Sequence, residues 1–268
     1  MKIYIVDEDE LYSEILTKKL NDNGFDDVNQ VSSPKELTAS LAIAPDVVIL
    51  NHDFESMAGI NSISDITANY LDCNIVYIAP LNNIKVLSKA HLVGAKAVYQ
   101  KGASLAEKLI SYLKRIKRET EYEKNNLLSE LIASNKKQLV DKQKLSLFIV
   151  DDNNFFLHFL ESKLKGIGDF DLSLFTEGTE AILNYKEQPD IMILDYHLMN
   201  IKGTEVLTVF KEKSPDTKVF MLSSQQNVDI AFSLFEIGLD EYLVKDEELQ
   251  ENLKLAITKY FPSYCLVT

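Results

Sequence analysis

The sequence predicts two α/β domains, each a doubly wound, five-stranded parallel sheet, joined by a long helix. Three observations carry this prediction: an internal repeat, a series of short apolar tracts separated by helical segments, and a central stretch, 103–143, without glycine or proline. A length of 268 residues is sufficient for two domains that each bury a core. The composition, 46% hydrophobic and 26% charged, is typical of a globular protein.

The internal repeat has a constant spacing along the chain. A constant offset predicts two homologous units that align without a gap, and a repeat of this length predicts tandem domains, because solenoid repeats have much shorter periods. Among the identical residues that lie 144 positions apart, five pairs serve as landmarks: Asp7 and Asp151, Pro45 and Pro189, Gly59 and Gly203, Gly94 and Gly238, and Lys101 and Lys245.

The apolar tracts of the second repeat are continuous rather than alternating. Such tracts are typical of strands buried on both faces of a parallel sheet, and the segments between them have helical spacing, as at Phe156, Leu157 and Leu160. In such sheets functional side chains collect at the carboxyl ends of the strands. The predicted strands cover 147–150, 172–175, 191–194, 218–222 and 242–244.

The stretch 103–143 carries nine Lys/Arg against six Asp/Glu, in a chain of net charge −13. It predicts one long helix with two apolar stripes. The first stripe is expected to cover the first sheet (Leu105, Leu109, Ile110, Leu113, Ile116). The second (Leu127, Leu128, Leu131, Ile132, Leu139) either rests on a neighbouring domain or pairs in a homodimer. We therefore predict domains at 1–116 and 144–268, with a helical linker at 117–143.

Three acids of the second repeat follow neighbouring predicted strands: Asp151 and Asp152 after the first, and Asp195 at the end of the third. Carboxylates that converge in this way repel one another and need a cation or protons, and hard oxygen ligands suit Mg²⁺. Ser223 ends the fourth strand, and its hydroxyl suits a phosphoryl oxygen. Lys245 ends the fifth and can neutralise added charge. Together these groups predict an aspartyl-phosphate site.

The same residues resemble the receiver domain of two-component response regulators, a flavodoxin-like fold. The resemblance covers about residues 145–260 and rests on Asp151–Asp152, the PDIMILD tract ending in Asp195, Gly203, Ser223, and DEYLVK ending in Lys245. Two departures are visible, since Ser223 replaces a more usual threonine and Asp246 replaces a common proline.

The resemblance implies that Asp195 accepts a phosphoryl group from a histidine kinase, a phosphotransfer protein or a small donor. It implies that Asp152, Asp195 and the backbone carbonyl of His197 ligate Mg²⁺ directly, and that Asp151 acts through water. It also implies that Ser223 and Tyr242 form a switch pair. Catalysis of multiple turnovers is not expected.

The first repeat resembles the same family over about residues 2–116, but its site is degenerate. The acid pair Asp7 and Glu8 and the lysine Lys101 remain. The acceptor position holds Asn51, a poor nucleophile, and the hydroxyl and aromatic positions hold Ala79 and Val98. We therefore expect a pseudo-receiver that takes no phosphoryl group, with Asp53 as a remote substitute acceptor and with a weak cation at Asp7 and Glu8 as an open alternative.

The remaining features bound the function classes. The negative charge argues against nucleic-acid contact, and no apolar run suits a membrane span or signal peptide, so we expect a cytoplasmic protein. Few residues follow the second repeat, so we expect output through protein contacts or dimerisation rather than a DNA-binding domain. The alternatives are a Mg²⁺-dependent phosphatase or phosphotransferase of the haloacid dehalogenase class, a flavodoxin-like flavin module, and an adaptor that is not phosphorylated.

Overall fold

The computed structural model describes residues 1–40, 44–51, 58–70, 72–79, 83–130, 144–224, 228–262 and 264. Strands and helices alternate along this chain. The strands are β1 Ile3–Val6, β2 Val28–Val31, β3 Val47–Asn51, β4 Asn74–Ala79, β5 Ala97–Gln100, β6 Ser146–Val150, β7 Asp171–Phe175, β8 Ile191–Asp195, β9 Lys218–Ser223 and β10 Glu241–Val244. The helices are α1 Glu10–Asn21, α2 Pro34–Ser40, α3 Ala58–Asn69, α4 Ile84–Leu92, α5 Leu105–Glu130, α6 Asn154–Lys165, α7 Gly178–Leu183, α8 Gly203–Lys213, α9 Val228–Glu236 and α10 Leu249–Tyr260.

The strands form two separate sheets of five parallel strands each. One sheet has the order β2-β1-β3-β4-β5 and the other β10-β9-β8-β6-β7, which is the same order read from the opposite edge. All recorded strand pairs are parallel. The predicted fold class, two doubly wound parallel-sheet domains, is confirmed. The order places the first and third strands of each sheet side by side, which brings their carboxyl ends together.

Two of the identical pairs that lie 144 positions apart, Asp46 with Asp190 and Gly94 with Gly238, have a structural reason. Asp46, which follows Pro45, accepts a hydrogen bond from the Lys2 backbone N–H at 2.6 Å, and Asp190 accepts one from the Ser146 N–H at 2.9 Å. Each carboxylate therefore ties the entry of the third strand to the start of the first. The glycines that follow α4 and α9 have positive φ angles, +121° at Gly94 and +97° at Gly238, where a side chain would be strained.

Each sheet has its own hydrophobic core. The first stripe of the central helix is buried in the core formed by β1, β3 and β4, as predicted from its spacing (Leu105, Leu109, Leu113, Ile116). The described part of α5 extends to Glu130. The side chains of Leu127 and Leu128, and all of residues 131–143, lie outside the described part, so the linker's second stripe stays a prediction.

The chain divides into two compact units: an N-terminal unit of Met1–Leu81 with Val93–Val140, and a C-terminal unit of Asn82–Leu92 with Asp141–Thr268. Helix α4 thus belongs to the C-terminal unit, where it packs on β10 and α10. The Ser88 hydroxyl donates to the Tyr242 carbonyl, and Lys85 pairs with Asp246 at 2.6 Å. Within this unit α4 therefore contacts the strand that leads to Lys245.

The helices of the described ranges include none whose apolar stretch is long enough to cross a membrane.

Candidate functional site

The three acids of the second repeat meet at one edge of their sheet. Asp151 and Asp152 follow β6, Asp195 ends β8, and these strands pair in parallel with Val150 opposite Leu194. Carboxylate oxygens of the three residues all lie within 4.8 Å of one another. Asp195 is only 7% exposed. The parallel register thus produces the convergence that the sequence predicted for this edge.

Lys245 lies at the centre of this cluster, which we call the Asp195 site (Asp151, Asp152, Asp195, Ser223, Tyr242, Lys245). Its Nζ is 2.7 Å from Asp151 Oδ2 and 2.8 Å from Asp195 Oδ1. The pKa of Asp195 is nonetheless raised, because burial outweighs the opposing effect of Lys245, and the charges of Asp151 and Asp152 raise it further. The single ammonium group of Lys245 therefore does not neutralise all of the negative charge of the three carboxylates.

The turn after β6 fixes the position of Asp151. Its Oδ1 accepts a hydrogen bond from the Asn153 backbone N–H at 2.9 Å. The Asn153 side chain caps helix α6 by accepting from the N–H groups of Phe155 and Phe156 at 3.0 and 3.3 Å. One Asp151 oxygen thus holds the turn while the other binds Lys245, so this carboxylate is positioned from two sides.

Ser223 and Tyr242 lie behind the acids on the two neighbouring strands β9 and β10. Val244 is opposite Ser223 in the parallel register, and both Ser223 and Tyr242 are fully buried. Burial raises the pKa of the Tyr242 phenol, while a hydrogen bond with the Ser223 side chain opposes that shift. The two residues of the predicted switch pair are therefore in direct contact.

The loop after β8 approaches helix α8 closely. A Cβ atom on Gly203 would lie 2.6 Å from the Asp195 carbonyl oxygen, so only glycine fits there. This close approach explains why a glycine occupies position 203. His197 lies in the same loop, with its side chain exposed and its ring edge-on to Tyr196 at 4.7 Å. The predicted use of its backbone carbonyl as a ligand remains a prediction.

The corresponding edge of the N-terminal unit, the Asn51 site (Asp7, Glu8, Asn51, Ala79, Lys101), has different chemistry. Asn51 ends β3 and its Nδ2 donates to Asp7 Oδ2, so an amide meets the buried acid directly. Asn51 is 3% exposed, and its Oδ1 is buried without a hydrogen-bond partner among the described residues. Glu8 is exposed. The site is held together without a carboxylate at the acceptor position.

The hydroxyl and aromatic positions of the first repeat hold apolar residues. Ala79 ends β4 and Val98 lies within β5, both with buried apolar side chains. The Lys101 ammonium lies over the ring of Tyr12, 4.7 Å from its centroid. Asp53, the substitute acceptor considered from sequence, lies outside the described residues.

The donor set of the Asp195 site fits a magnesium ion. Mg²⁺ prefers oxygen ligands and a few carboxylates completed by water. Three carboxylates share one lysine ammonium at this site, and a divalent cation would offset their excess negative charge. Over the described ranges, the Asp195 site is the one group of three acidic or other metal-binding side chains close enough to share an ion.

Sequence reasoning missed two residues of this site, Asn153 and Phe156. Asn153 connects Asp151 to the helix cap, and the Phe156 ring lies 4.1 Å from the Lys245 ammonium. A polar residue two positions after an acid at a strand end is the sequence signal for such a helix cap. The sequence contains this signal at Asn153. The ring contact has no comparable signal, because it joins residues from opposite ends of the unit.

The five-stranded parallel fold with acids at the carboxyl edge of its sheet defines a receiver-type domain, and the comparisons agree. The family model of the response regulator receiver domain matches residues 3–114 and again residues 147–257. The chain belongs to this family, with two receiver domains in tandem.

Curated relatives match about two fifths of this chain. The transcriptional regulatory protein PrrA of Mycobacterium leprae is 34% identical over 106 residues, which are 39% of this chain and 45% of that protein. The DNA-binding response regulator MtrA of Mycobacterium bovis is 30% identical over 107 residues, 40% of this chain and 46% of that protein. The matches thus span about half the length of these relatives. The response regulator DrrB, a Thermotoga maritima OmpR/PhoB homologue, matches 44% of this chain and 53% of its own, at 27% identity and a TM-score of 0.40.

Proposed function

We propose that this protein is a response regulator of a two-component system that accepts one phosphoryl group on Asp195. The donor is a histidine kinase or a phosphotransfer protein. The observation that carries the proposal is the arrangement around Asp195: a buried carboxylate within 4.8 Å of two further acids and 2.8 Å from a lysine ammonium. A nucleophile, a set of cation ligands and a charge-neutralising lysine are the parts that phosphoryl transfer to a carboxylate requires.

The chemistry assigns a task to each side chain. An Asp195 oxygen attacks the phosphorus, a P–O bond to Asp195 forms, and the bond to the donor's leaving group breaks. Asp152 and Asp195, with the His197 carbonyl, would hold Mg²⁺ and Asp151 would act through water; the ion supplies charge neutralisation. Lys245 then binds a phosphoryl oxygen in place of an Asp195 oxygen. The product is an acyl phosphate, and no further turnover is implied.

The buried pair behind the site provides a route for the signal. Ser223 can donate its hydroxyl hydrogen to a phosphoryl oxygen, which requires it to exchange its hydrogen bond with Tyr242. Tyr242 is fully buried, so its rearrangement would alter packing within β10 and its neighbours. We propose that output is a changed protein contact or dimer state that follows from this rearrangement.

The two repeats divide the work in this proposal. Residues 144–268 form the phosphorylatable receiver, residues 117–143 the helical linker, and residues 1–116 a pseudo-receiver whose Asn51 takes no phosphoryl group. The site of phosphorylation is cytoplasmic, since Asp195 requires a kinase supplied with ATP, and the free thiol of buried Cys73 agrees with a reducing compartment.

Intact-mass measurement after treatment with acetyl phosphate and Mg²⁺ tests the acceptor assignment. We expect a gain of one phosphoryl group per chain, which slowly disappears when the donor is removed. No mass gain on a folded protein would contradict the proposal and favour the adaptor. Sustained hydrolysis of a small phosphate ester would favour the phosphatase instead.

A second measurement tests the output. Light scattering behind size-exclusion chromatography compares the mass of the protein with Mg²⁺ alone and with Mg²⁺ and beryllofluoride, which mimics a phosphoryl group on a carboxylate. We expect either a change of oligomeric state or a change of elution volume at constant mass. Identical profiles at saturating beryllofluoride would contradict a dimer- or shape-based output.

A further inference from the structure

The Lys245 ammonium contacts an aromatic ring as well as two carboxylates. Its Nζ lies 4.1 Å from the centroid of the Phe156 ring, 2.7 Å from Asp151 Oδ2 and 2.8 Å from Asp195 Oδ1. We propose that Phe156 is a positioning residue, whose π face holds the lysine where it meets the incoming phosphoryl group. The inference rests on the proposed function, since it assigns Phe156 a part in the chemistry at Asp195.

The helix cap places the ring under the lysine. Asn153 caps α6, and Phe156 is the third residue after this cap, with its backbone N–H bonded to the Asn153 side chain at 3.3 Å. The Phe156 ring also stacks on Phe159, with centroids 5.6 Å apart and planes at 29°. The ring is half-buried against the core of the C-terminal unit. Its orientation is therefore fixed by local backbone geometry and by packing.

The same arrangement recurs in the N-terminal unit. Asp9 caps α1 and accepts from the Tyr12 N–H at 3.0 Å, and the Lys101 ammonium lies 4.7 Å from the Tyr12 ring centroid. Asp9, Tyr12 and Lys101 each precede their counterparts Asn153, Phe156 and Lys245 by 144 positions. The ring–lysine contact thus forms in a site that has no carboxylate at the acceptor position. The cap, the helix register and the ring–lysine contact therefore recur together where the acceptor position holds an amide.

The Phe156 ring restricts the flexible Lys245 side chain, which must bind different partners before and after phosphorylation. A lysine side chain has four rotatable bonds and loses conformational entropy when its ammonium is held in one place. Two carboxylates hold the Lys245 ammonium in the resting protein, but one of these bonds must be exchanged for a phosphoryl oxygen. The attraction between an aromatic face and a cation does not require one fixed hydrogen-bond direction. The Lys245 ammonium can therefore stay against the Phe156 ring while it exchanges a carboxylate for a phosphoryl oxygen. Loss of the π face should therefore slow phosphorylation by roughly threefold to tenfold.

The test compares three variants of the full chain with wild type. Phe156→Leu keeps an apolar side chain and removes the ring. Phe156→Tyr keeps the ring and reproduces the pair found at Tyr12 and Lys101. Phe155→Leu is the matched control, because Phe155 precedes Phe156 on the same helix and is 82% exposed. The readouts are the rate of phosphoryl gain from acetyl phosphate with Mg²⁺, the melting temperature, and the NMR shifts of the Lys245 ε-methylene protons in the resting protein.

We expect Phe156→Leu to be slower by roughly threefold to tenfold, and Phe156→Tyr and Phe155→Leu to stay within about twofold of wild type. The ε-methylene protons should be shifted upfield by the ring in wild type and in Phe156→Tyr, and should lose this shift in Phe156→Leu. Equal rates for folded Phe156→Leu and wild type overturn the proposal. So does a Phe156→Tyr variant as slow as Phe156→Leu, which would indicate a packing role.

The NMR measurement does not require phosphorylation, so it distinguishes failure of the positioning role of Phe156 from failure of the proposed function. Absence of an upfield shift in wild type overturns the positioning role, even where phosphorylation is normal or Phe156→Leu fails to fold. A wild-type protein that shows the shift and takes no phosphoryl group instead overturns the proposed function, and with it any catalytic use of Phe156.

Discussion

The Asp195 site and the Asn51 site occupy the same place on two similar sheets and differ at the acceptor, hydroxyl and aromatic positions. At one site a third carboxylate adds charge, and a lysine ammonium bridges it to Asp151. At the other site an amide donates directly to Asp7. Both keep a capped first helix and an aromatic ring against the lysine. The comparison teaches that the sheet and the helix cap form whether or not the acceptor position is charged. The buried charge of Asp195 therefore serves the chemistry of the site rather than the fold.

The largest expected effect follows from making the Asp195 site resemble its counterpart. Asp195→Asn replaces the nucleophile by an amide, so labelling by acetyl phosphate should fall by about 100-fold or more. Intact mass with Mg²⁺ present measures this directly. Asp216→Asn, which changes an exposed acid of the same unit, should keep the full label. Label that survives in Asp195→Asn would show that the acceptor is elsewhere.

The next effect concerns the lysine that bridges two acids. Lys245→Ala leaves buried Asp151 and Asp195 without their ammonium, so we expect a loss of about 2–3 kcal/mol in the free energy of unfolding. Saturating Mg²⁺ should recover most of this loss, because the cation replaces the missing positive charge.

Urea denaturation with and without Mg²⁺ gives both values for Lys245→Ala. The control is Lys186→Ala, which changes an exposed lysine of the same unit and should shift stability little. A loss that Mg²⁺ leaves unchanged would argue against an ion bound by these acids.

The reverse substitution places an acid at the acceptor position of the Asn51 site. Asn51→Asp removes the donor to Asp7 and places a second carboxylate beside a buried one. We expect the N-terminal unit to lose about 1–2 kcal/mol at neutral pH, by denaturation in urea. Asn61→Asp, at an exposed position on α3, is the control. A second phosphoryl group on Asn51→Asp would contradict the expectation that Ala79 and Val98 leave the site inert.

The smallest effect is a pH dependence with a definite sign. Burial raises the pKa of Asp195 in the folded state, so the folded protein disfavours the ionised form. The stability associated with this group is fully present below its unfolded pKa and is lost as pH rises through the folded pKa. Without Mg²⁺, Asp195→Asn should therefore be more stable than wild type at neutral pH, by about 1 kcal/mol.

This advantage of Asp195→Asn should shrink as pH falls from the folded pKa towards the unfolded pKa of Asp195, and Mg²⁺ should reverse it by binding wild type alone. Thermal unfolding of both proteins over a pH series provides the comparison. A difference that stays constant with pH would mean that the carboxylate's charge is not its origin.

Much of the fold and most of the acidic site could be predicted from the chain, because both follow from order along the sequence. Five buried strands in a doubly wound sheet place strands one and three side by side, so Asp151 and Asp195 had to meet. The glycine at 203 and the aspartate at 190 were visible as repeat positions. Their roles, a close approach to the Asp195 carbonyl and a tie to Ser146, required coordinates.

Two features depended on contacts that sequence periodicity does not encode. Helix α4 belongs to the C-terminal unit, where the His91 ring stacks on Phe235 at 4.3 Å and the Lys259 ammonium donates to the His91 carbonyl at 2.7 Å. The repeat predicts that such a helix exists but carries no information about the surface it packs against. The contact of Phe156 with Lys245 is of the same kind, since it joins residues far apart in the chain.

The sequence by itself determined that the chain has two receiver domains and that one acceptor position holds an acid and the other an amide, because residue type and strand order are properties of the chain. The tertiary structure decided how the charge at Asp195 is balanced. Burial, the reach of Lys245 and the ring of Phe156 are set by distances of a few ångströms between separate elements. Electrostatic interactions change steeply over such distances, and no pattern along the sequence reports them.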